Sequence, residues 1–299
     1  MRRLLTFALA GVLAQLVDGA LGMAYGVTAT SFLLSGGTAP AVASATVHLA
    51  EVGTTFVSGI SHWRFGNVSW RLVALLGVPG AVGGYVGASV LTSIDGATAK
   101  PWIAGILLTL GLLVLARFAF GRTPTPAPES RLRARSMTPL GIGAGFIDAI
   151  GGGGWGPVTT PTLLTFGRVE PRKAIGSVSA SEFLVSLAAS IGFLRGLGSE
   201  AIDAGIVAAL LIGGIAIAPL AAYLVKVLPV RVMGTLVGSL VIVTNSRTLM
   251  TANHVAGPTR LVVLVVVSAG AAALLVKASR AHQAELRENP PAVVAPVTA

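Results

Sequence analysis

A broken apolar segment occurs twice in this chain, and it restricts what the rest can fold into. The first copy reads DGALGMAYGVTATSFLL, from Asp18 to Leu34, and the second reads DAIGGGGWGPVTTPTLL, from Asp148 to Leu164. Aspartate aligns with aspartate, Gly22 with Gly152, Tyr25 with Trp155, Gly26 with Gly156 and Thr30 with Thr160, all 130 positions apart. Pro40 with Pro171 and Glu51 with Glu182 continue the correspondence at 131. A duplicated unit that carries a Gly/Pro-interrupted apolar helix in each copy points to a binding site between the two interruptions of a membrane carrier.

Composition sets the solvent. Mean hydropathy is +0.83, and only 11% of residues are charged, too few to cover the surface of a soluble domain. The apolar runs are long and continuous instead of alternating, which favours helices over a membrane β-barrel. The chain thus reads as an all-α polytopic membrane protein. The net charge of +10 sits in loops and tails, as cytoplasmic-side Lys and Arg do, and no basic stripe or reading module points to nucleic acid. With no cysteine, disulfides, thiolate-held clusters and thiol catalysis are excluded. The opening MRRLLTFALAG is read as the first membrane helix and not a signal peptide, because the repeated motif follows directly.

Apolar segments fall at about 4–36, 40–61, 70–92, 100–118, 138–166, 171–194, 202–225, 231–250 and 260–277, where a span needs roughly 20 residues. The first and fifth are too long for one simple crossing and break in the middle, so each is a discontinuous helix or a re-entrant hairpin. The expected organisation is a first transmembrane repeat over 1–120, a basic Pro-rich cytoplasmic linker over 121–136, a second repeat over 137–250, an additional helix over 258–278 and a disordered tail over 279–299. If the fifth segment returns to its own side, the basic loop with Arg168, Arg172 and Lys173 lies inside. The matched second and sixth segments then run in opposite directions, giving an inverted pseudo-twofold repeat.

Several residues carry candidate chemistry. Gly152, Gly153 and Gly154 with Trp155, Gly156 and Pro157 cannot make an ordinary helix, and unwound backbone at membrane depth survives only inside protein or beside a wet cavity. Pro157 suits the start of a new half-helix, whose free N–H groups form a partial positive site for an anion. Gly22, Tyr25 and Gly26 are the first-copy counterparts. Thr28, Thr30, Thr159 and Thr160 offer hydroxyls to an oxyanion without adding charge, or else bond back to their own helical turn. Tyr25 and Trp155 wall the site or anchor the core. Glu51 and Glu182 lie half-way along their segments, where a carboxylate is protonated, paired or hydrated, and they are the proton-coupling candidates. His48, one turn before Glu51, is a relay or substrate ligand, with Ser179 as its counterpart. Asp18 and Asp148 are read as caps of the half-helices. Gly83, Gly87 and the Gly141–Gly145 run are read as helix-packing positions. No catalytic motif and no metal or cofactor set stands out, so the chain is read as no enzyme, with no cofactor.

The two breaks, the P-x-x-A stretches at Pro40–Ala43 and Pro171–Ala174, and the polar patches at Thr46–Thr55 and Ser177–Ser186 resemble the sulfite exporter TauE/SafE family of four-helix-repeat, DUF81-like permeases. The resemblance covers about residues 4–250. The first copy departs from it, with Leu21, Met23 and Ala24 in place of glycines, and the ninth segment is extra. The resemblance implies a multi-pass permease of a bacterial plasma membrane that moves sulfite, sulfoacetate or related small sulfur oxyanions. Its matching positions are the glycine breaks and the polar faces that carry His48, Ser177 and Ser179. The expected partners are the anion and the lipid bilayer, with the protein a monomer or homodimer. A passive anion channel and a non-transporting accessory protein are the alternatives.

Overall fold

The computed structural model describes residues 2–21, 23–120, 133–165, 169–224, 230–255 and 257–288, and every regular element among them is helical. The helices are α1 (Arg2–Leu21), α2 (Tyr25–Ser35), α3 (Pro40–Arg64), α4 (Trp70–Thr92), α5 (Gly96–Phe120), α6 (Ala134–Gly151), α7 (Trp155–Thr165), α8 (Pro171–Leu197), α9 (Ala204–Leu224), α10 (Val230–Ala252) and α11 (Gly257–Glu288), with one 3₁₀ turn at Ser199–Ala201. Both long segments are split where the repeated glycines lie. Each gives a long helix followed by one of 11 residues, which rises about 16 Å, half the hydrocarbon thickness.

Local chemistry sets the boundaries. Pro40 and Pro171 occupy the first turns of α3 and α8, where a missing N–H costs nothing. Asp95 Oδ2 accepts from the N–H groups of Ala97 and Thr98 ahead of α5, and Asp203 Oδ1 does the same for Gly205 and Ile206 ahead of α9. Gly152 (φ 68°) and Gly153 (φ 145°) take backbone conformations that stop α6. In the first copy the turn falls on Ala24, whose φ of 98° is left-handed.

The surface matches a lipid solvent. Val78, Val82 and Val86 form an exposed stripe one turn apart on α4, and Leu5, Leu9 and Leu13 form another on α1. Four helices, 70–92, 96–120, 173–197 and 257–284, are long and apolar enough to cross a membrane. Trp63 and Trp70 meet edge to face at one end of α4, with ring centroids 6.1 Å apart, and exposed Trp102 lies near the start of α5 at its other end. Aromatic residues at both ends of spanning helices suit the two membrane interfaces.

Relative directions follow from the contacts. Ser69 N–H donates to Ser177 Oγ (2.8 Å) near the starts of α4 and α8, and Gly192 packs on Tyr85 and Ala88 toward their ends, so α4 and α8 run parallel. Gly141 lies against the Leu76 carbonyl and Gly87 against that of Phe146, so α6 runs parallel to α4 as well. Thus α8 starts at the end of the bundle where α6 starts, although α6 and α7 lie between. In contrast, α3 and α8 are antiparallel: Ser58 faces Ser179 at 2.8 Å and Glu51 faces Ser186. α5 and α10 are antiparallel too, with Gly111 against Val241 and Gly238 against Leu115. Gly83, Gly87, Gly141 and Gly145 all sit on backbone of the neighbouring helix, which is the packing role read from their spacing.

Two apolar clusters hold the bundle. The larger gathers Leu33, Leu34, Leu107, Phe193 and Leu210; the smaller surrounds Trp155 with Leu72, Leu76, Leu163 and Val185. α11 lies outside, packed on α10 and α5, with Lys277 over the Phe120 ring. It continues as a helix to Glu288, past position 279 where a disordered tail was expected; the charged and alanine-rich stretch keeps helical periodicity. The linker residues 121–132 and the final residues 289–299 lie outside the described residues.

Candidate functional site

Each repeated aspartate serves the half-helix that follows it. The backbone N–H of Trp155 donates to Asp148 Oδ1 at 2.9 Å, and the backbone N–H of Tyr25 donates to Asp18. Both acids therefore cap a helix start from the preceding helix, supplying negative charge where the helix dipole is positive. The two aromatics are held by their polar tips. Trp155 Nε1 donates to the Val178 carbonyl (3.1 Å) and Ser181 Oγ (3.3 Å), and Tyr25 O–H donates to the Leu210 carbonyl (3.3 Å).

The two interruptions meet. Thr30 Oγ1 donates to the Gly152 carbonyl. Gly26 faces the second break so closely that a β-carbon there would lie 2.6 Å from Gly153 Cα and 2.8 Å from Glu51 Oε1. A β-carbon on Gly153 would in turn fall on the backbone of Gly26 and Val27. Gly154 and Gly156 are buried at the start of α7. Gly22 lies outside the described residues.

His48 joins the halves from the side. Its Nδ1 lies 2.8 Å from the Ser44 carbonyl and its Nε2 lies 3.2 Å from Asp148 Oδ2, with both side chains fully buried. A carbonyl only accepts, so Nδ1 carries a proton, and the carboxylate contact requires another between Nε2 and Oδ2. Ser44 Oγ donates to the Ala149 carbonyl (2.6 Å), fixing this part of α3 on the end of α6.

The remaining candidates divide. Glu51 is 1% exposed; its Oε2 accepts from Ser186 Oγ (3.4 Å), while Oε1 has no partner. Glu182, partly buried, lies one turn before Ser186 and so on the same side of α8. Thr28 and Thr160 are buried with unpartnered hydroxyls, whereas Thr159 bonds back to the Trp155 carbonyl. Ser177 and Ser179 are engaged with Ser69 and Ser58 at helix contacts, not at the breaks. The sequence reading did not single out Ser44 or Asn245. Ser44 is signalled by its spacing of one turn from His48. Asn245, fully buried on α10, donates to Ser31 Oγ (2.7 Å) and the Val241 carbonyl (2.8 Å) and is the one amide side chain within Val230–Ala252. Among the described residues no Lys or Arg is buried, and no three His, Cys, Asp or Glu side chains are grouped to hold a metal.

Lipid-facing stripes, helices of spanning length and two half-length helices meeting at buried ionisable groups define a multi-pass membrane protein built around two interrupted helices. The chain belongs to the sulfite exporter TauE/SafE family, which matches residues 7–248. It is 50% identical over 251 residues, 84% of each chain, to the probable membrane transporter protein YtnM of Bacillus subtilis (strain 168). It is 26% identical over 203 residues, 66% of this chain and 75% of the other, to a probable membrane transporter protein of Xylella fastidiosa (strain 9a5c). No solved structure matches it. The protein is a membrane transporter and not an enzyme, and α11 lies beyond the family match.

Proposed function

We propose that the protein moves small sulfur oxyanions, sulfite or organosulfonates, across the cell membrane by alternating access. Thr160 supplies a hydroxyl to the anion at the junction of the two breaks, and Glu51 and Glu182 carry coupled protons; Thr28, beside Leu240, Val241 and Thr244 of α10, lies on the other side of α2 from Gly26 and Thr30. The observation that carries this reading is the contact of the two breaks, Gly26 on Gly152–Gly153, beside buried Glu51 and the His48–Asp148 pair. Unwound backbone and unpartnered buried hydroxyls at membrane depth suit a ligand that completes their hydrogen bonds. The antiparallel run of α3 and α8, and the start of α8 beside that of α6, support two inverted repeats with a re-entrant first unit in the second copy. Rocking of one half on the other would then expose the junction to alternate sides.

Reconstitution in liposomes tests this. Sulfite flux driven by an imposed pH gradient is expected, with counterflow between internal and external sulfite. Flux without counterflow would replace the carrier by a passive channel. Absence of flux from folded protein with sulfite and with a range of sulfonates would remove the oxyanion reading. Glu182→Gln and Glu51→Gln are expected to abolish the response to the pH gradient while retaining exchange; an unchanged response would remove those two as coupling groups.

A further inference from the structure

The N–H group that the anion reading requires is already taken. Trp155 N–H, the first donor of α7, points at Asp148 Oδ1, and the other oxygen of the same carboxylate receives His48 Nε2. Asp148 therefore holds the position of a bound oxyanion, with one oxygen on a helix N-terminus and one on an imidazole. Beside it, Glu51 is 1% exposed, and its Oε1 has no partner and faces the Gly152–Gly153 break across Gly26. The charged groups around it are His48 and Glu51 of α3, Asp18 of α1 and Glu182 of α8, four carboxyl groups in all against one histidine. With no buried Lys or Arg among the described residues, an anion added to this set without a compensating proton would be repelled at low dielectric.

We infer that Asp148 is a built-in occupant of the substrate anion site, displaced by a small oxyanion that takes over Trp155 N–H and His48 Nε2. The inference rests on the anion reading above and gives it a site and a stoichiometry. In the exchange the Asp148 carboxylate gains one proton from solution and swings away as a neutral acid. The anion accepts the two donors it releases, and His48 keeps both of its protons. One anion and one proton enter this site together, apart from the protons that Glu51 and Glu182 carry, so the loaded site has the same net charge as the empty one. The pair is fully buried, and Asp148 lies in the last turn of α6, ahead of the positive-φ glycines Gly152 and Gly153.

The test uses full-length protein and methanesulfonate, an anion whose charge does not change between roughly pH 5 and 8. Binding is read from the fluorescence of Trp155 in a Trp63→Phe, Trp70→Phe, Trp102→Phe background. These three indoles are exposed, at 55%, 59% and 75%. Affinity is expected to weaken by about tenfold for each pH unit where Asp148 must be protonated to leave. Asp148→Asn, which keeps an oxygen for Trp155 N–H but no charge, should bind more tightly at high pH and lose that slope. An unchanged slope and affinity in folded Asp148→Asn would overturn the inference, as would lost binding, which would make Asp148 a cap that the site requires. If Asp148→Asn does not fold, proton uptake by the Glu51→Gln, Glu182→Gln protein decides: one proton per methanesulfonate is expected in weak buffer, and none would overturn it. The anion reading fails separately, through absence of both binding and flux in the unsubstituted protein.

Discussion

Thr30 of the first repeated segment donates its hydroxyl to the carbonyl of Gly152 in the second, 122 positions away. That bond ties two stretches of backbone that interrupt their helices at the same place. It gives a carbonyl at the second interruption a partner that does not depend on solvent. The same junction carries Glu51 and the His48–Asp148 pair. Four outcomes follow from it.

Gly153 has no room for a side chain. Its φ of 145° suits glycine, and a β-carbon would strike the backbone of Gly26 and Val27, which cannot move aside as a side chain can. Gly153→Ala should abolish transport and lower the yield of folded protein. Gly143→Ala is the contrast, because nothing lies within 4 Å of its β-carbon position; it should match the unsubstituted protein in size-exclusion profile and flux.

The His48–Asp148 contact is buried on both sides. His48→Leu strips the carboxylate of its imidazole and should cost about 3 kcal/mol of stability, in the range for breaking a buried pair from one side. Asp148→Asn combined with His48→Leu should recover part of that loss, since no charge is then stranded. Unfolding curves for the two single variants and the double variant give the coupling energy directly; a value near zero would mean that the two groups act independently.

Thr28 and Thr160 have buried hydroxyls without partners. Replacing either by valine removes an unsatisfied polar atom at little change in shape, so stability should stay the same or rise by about 1 kcal/mol. Transport should fall in Thr160→Val, because that hydroxyl waits for the anion, and change little in Thr28→Val, whose hydroxyl lies toward α10. Thr159→Val is the control for the same chemistry on the same half-helix: its hydroxyl is already bonded to the Trp155 carbonyl, and flux should change little. Equal flux in all three variants would remove the hydroxyls from the site.

Ala24 sits at φ 98°, ψ 10° before the first half-helix, a left-handed conformation that costs an L-residue with a side chain about 1–2 kcal/mol. Ala24→Gly should relieve it and raise the unfolding midpoint. If the conformation is part of the working cycle, the same change should slow transport while the protein becomes more stable. A lower midpoint would show that the alanine methyl, 3% exposed, matters more for packing than the strain does.

By itself the sequence determined the solvent and the elements. Apolar runs of spanning length with few charges leave only a lipid-embedded helical bundle, and proline and glycine positions mark where helices start and fail, because these are local steric facts. The duplicated Asp-to-Thr motif made the two interruptions legible, as it did the glycine packing of α4 on α6. The tertiary structure decided what those residues meet. Nothing in the spacing of Asp148 and His48, 100 positions apart, says that they meet in one buried pair, and nothing in Ser177 or Ser179 says that their hydroxyls engage the start of α4 and α3. Ser44 and Asn245 gained their roles in the same way. A buried polar group takes the partner that packing brings within hydrogen-bond distance. Helix direction and crossing, which a residue's neighbours in the chain do not encode, set that distance.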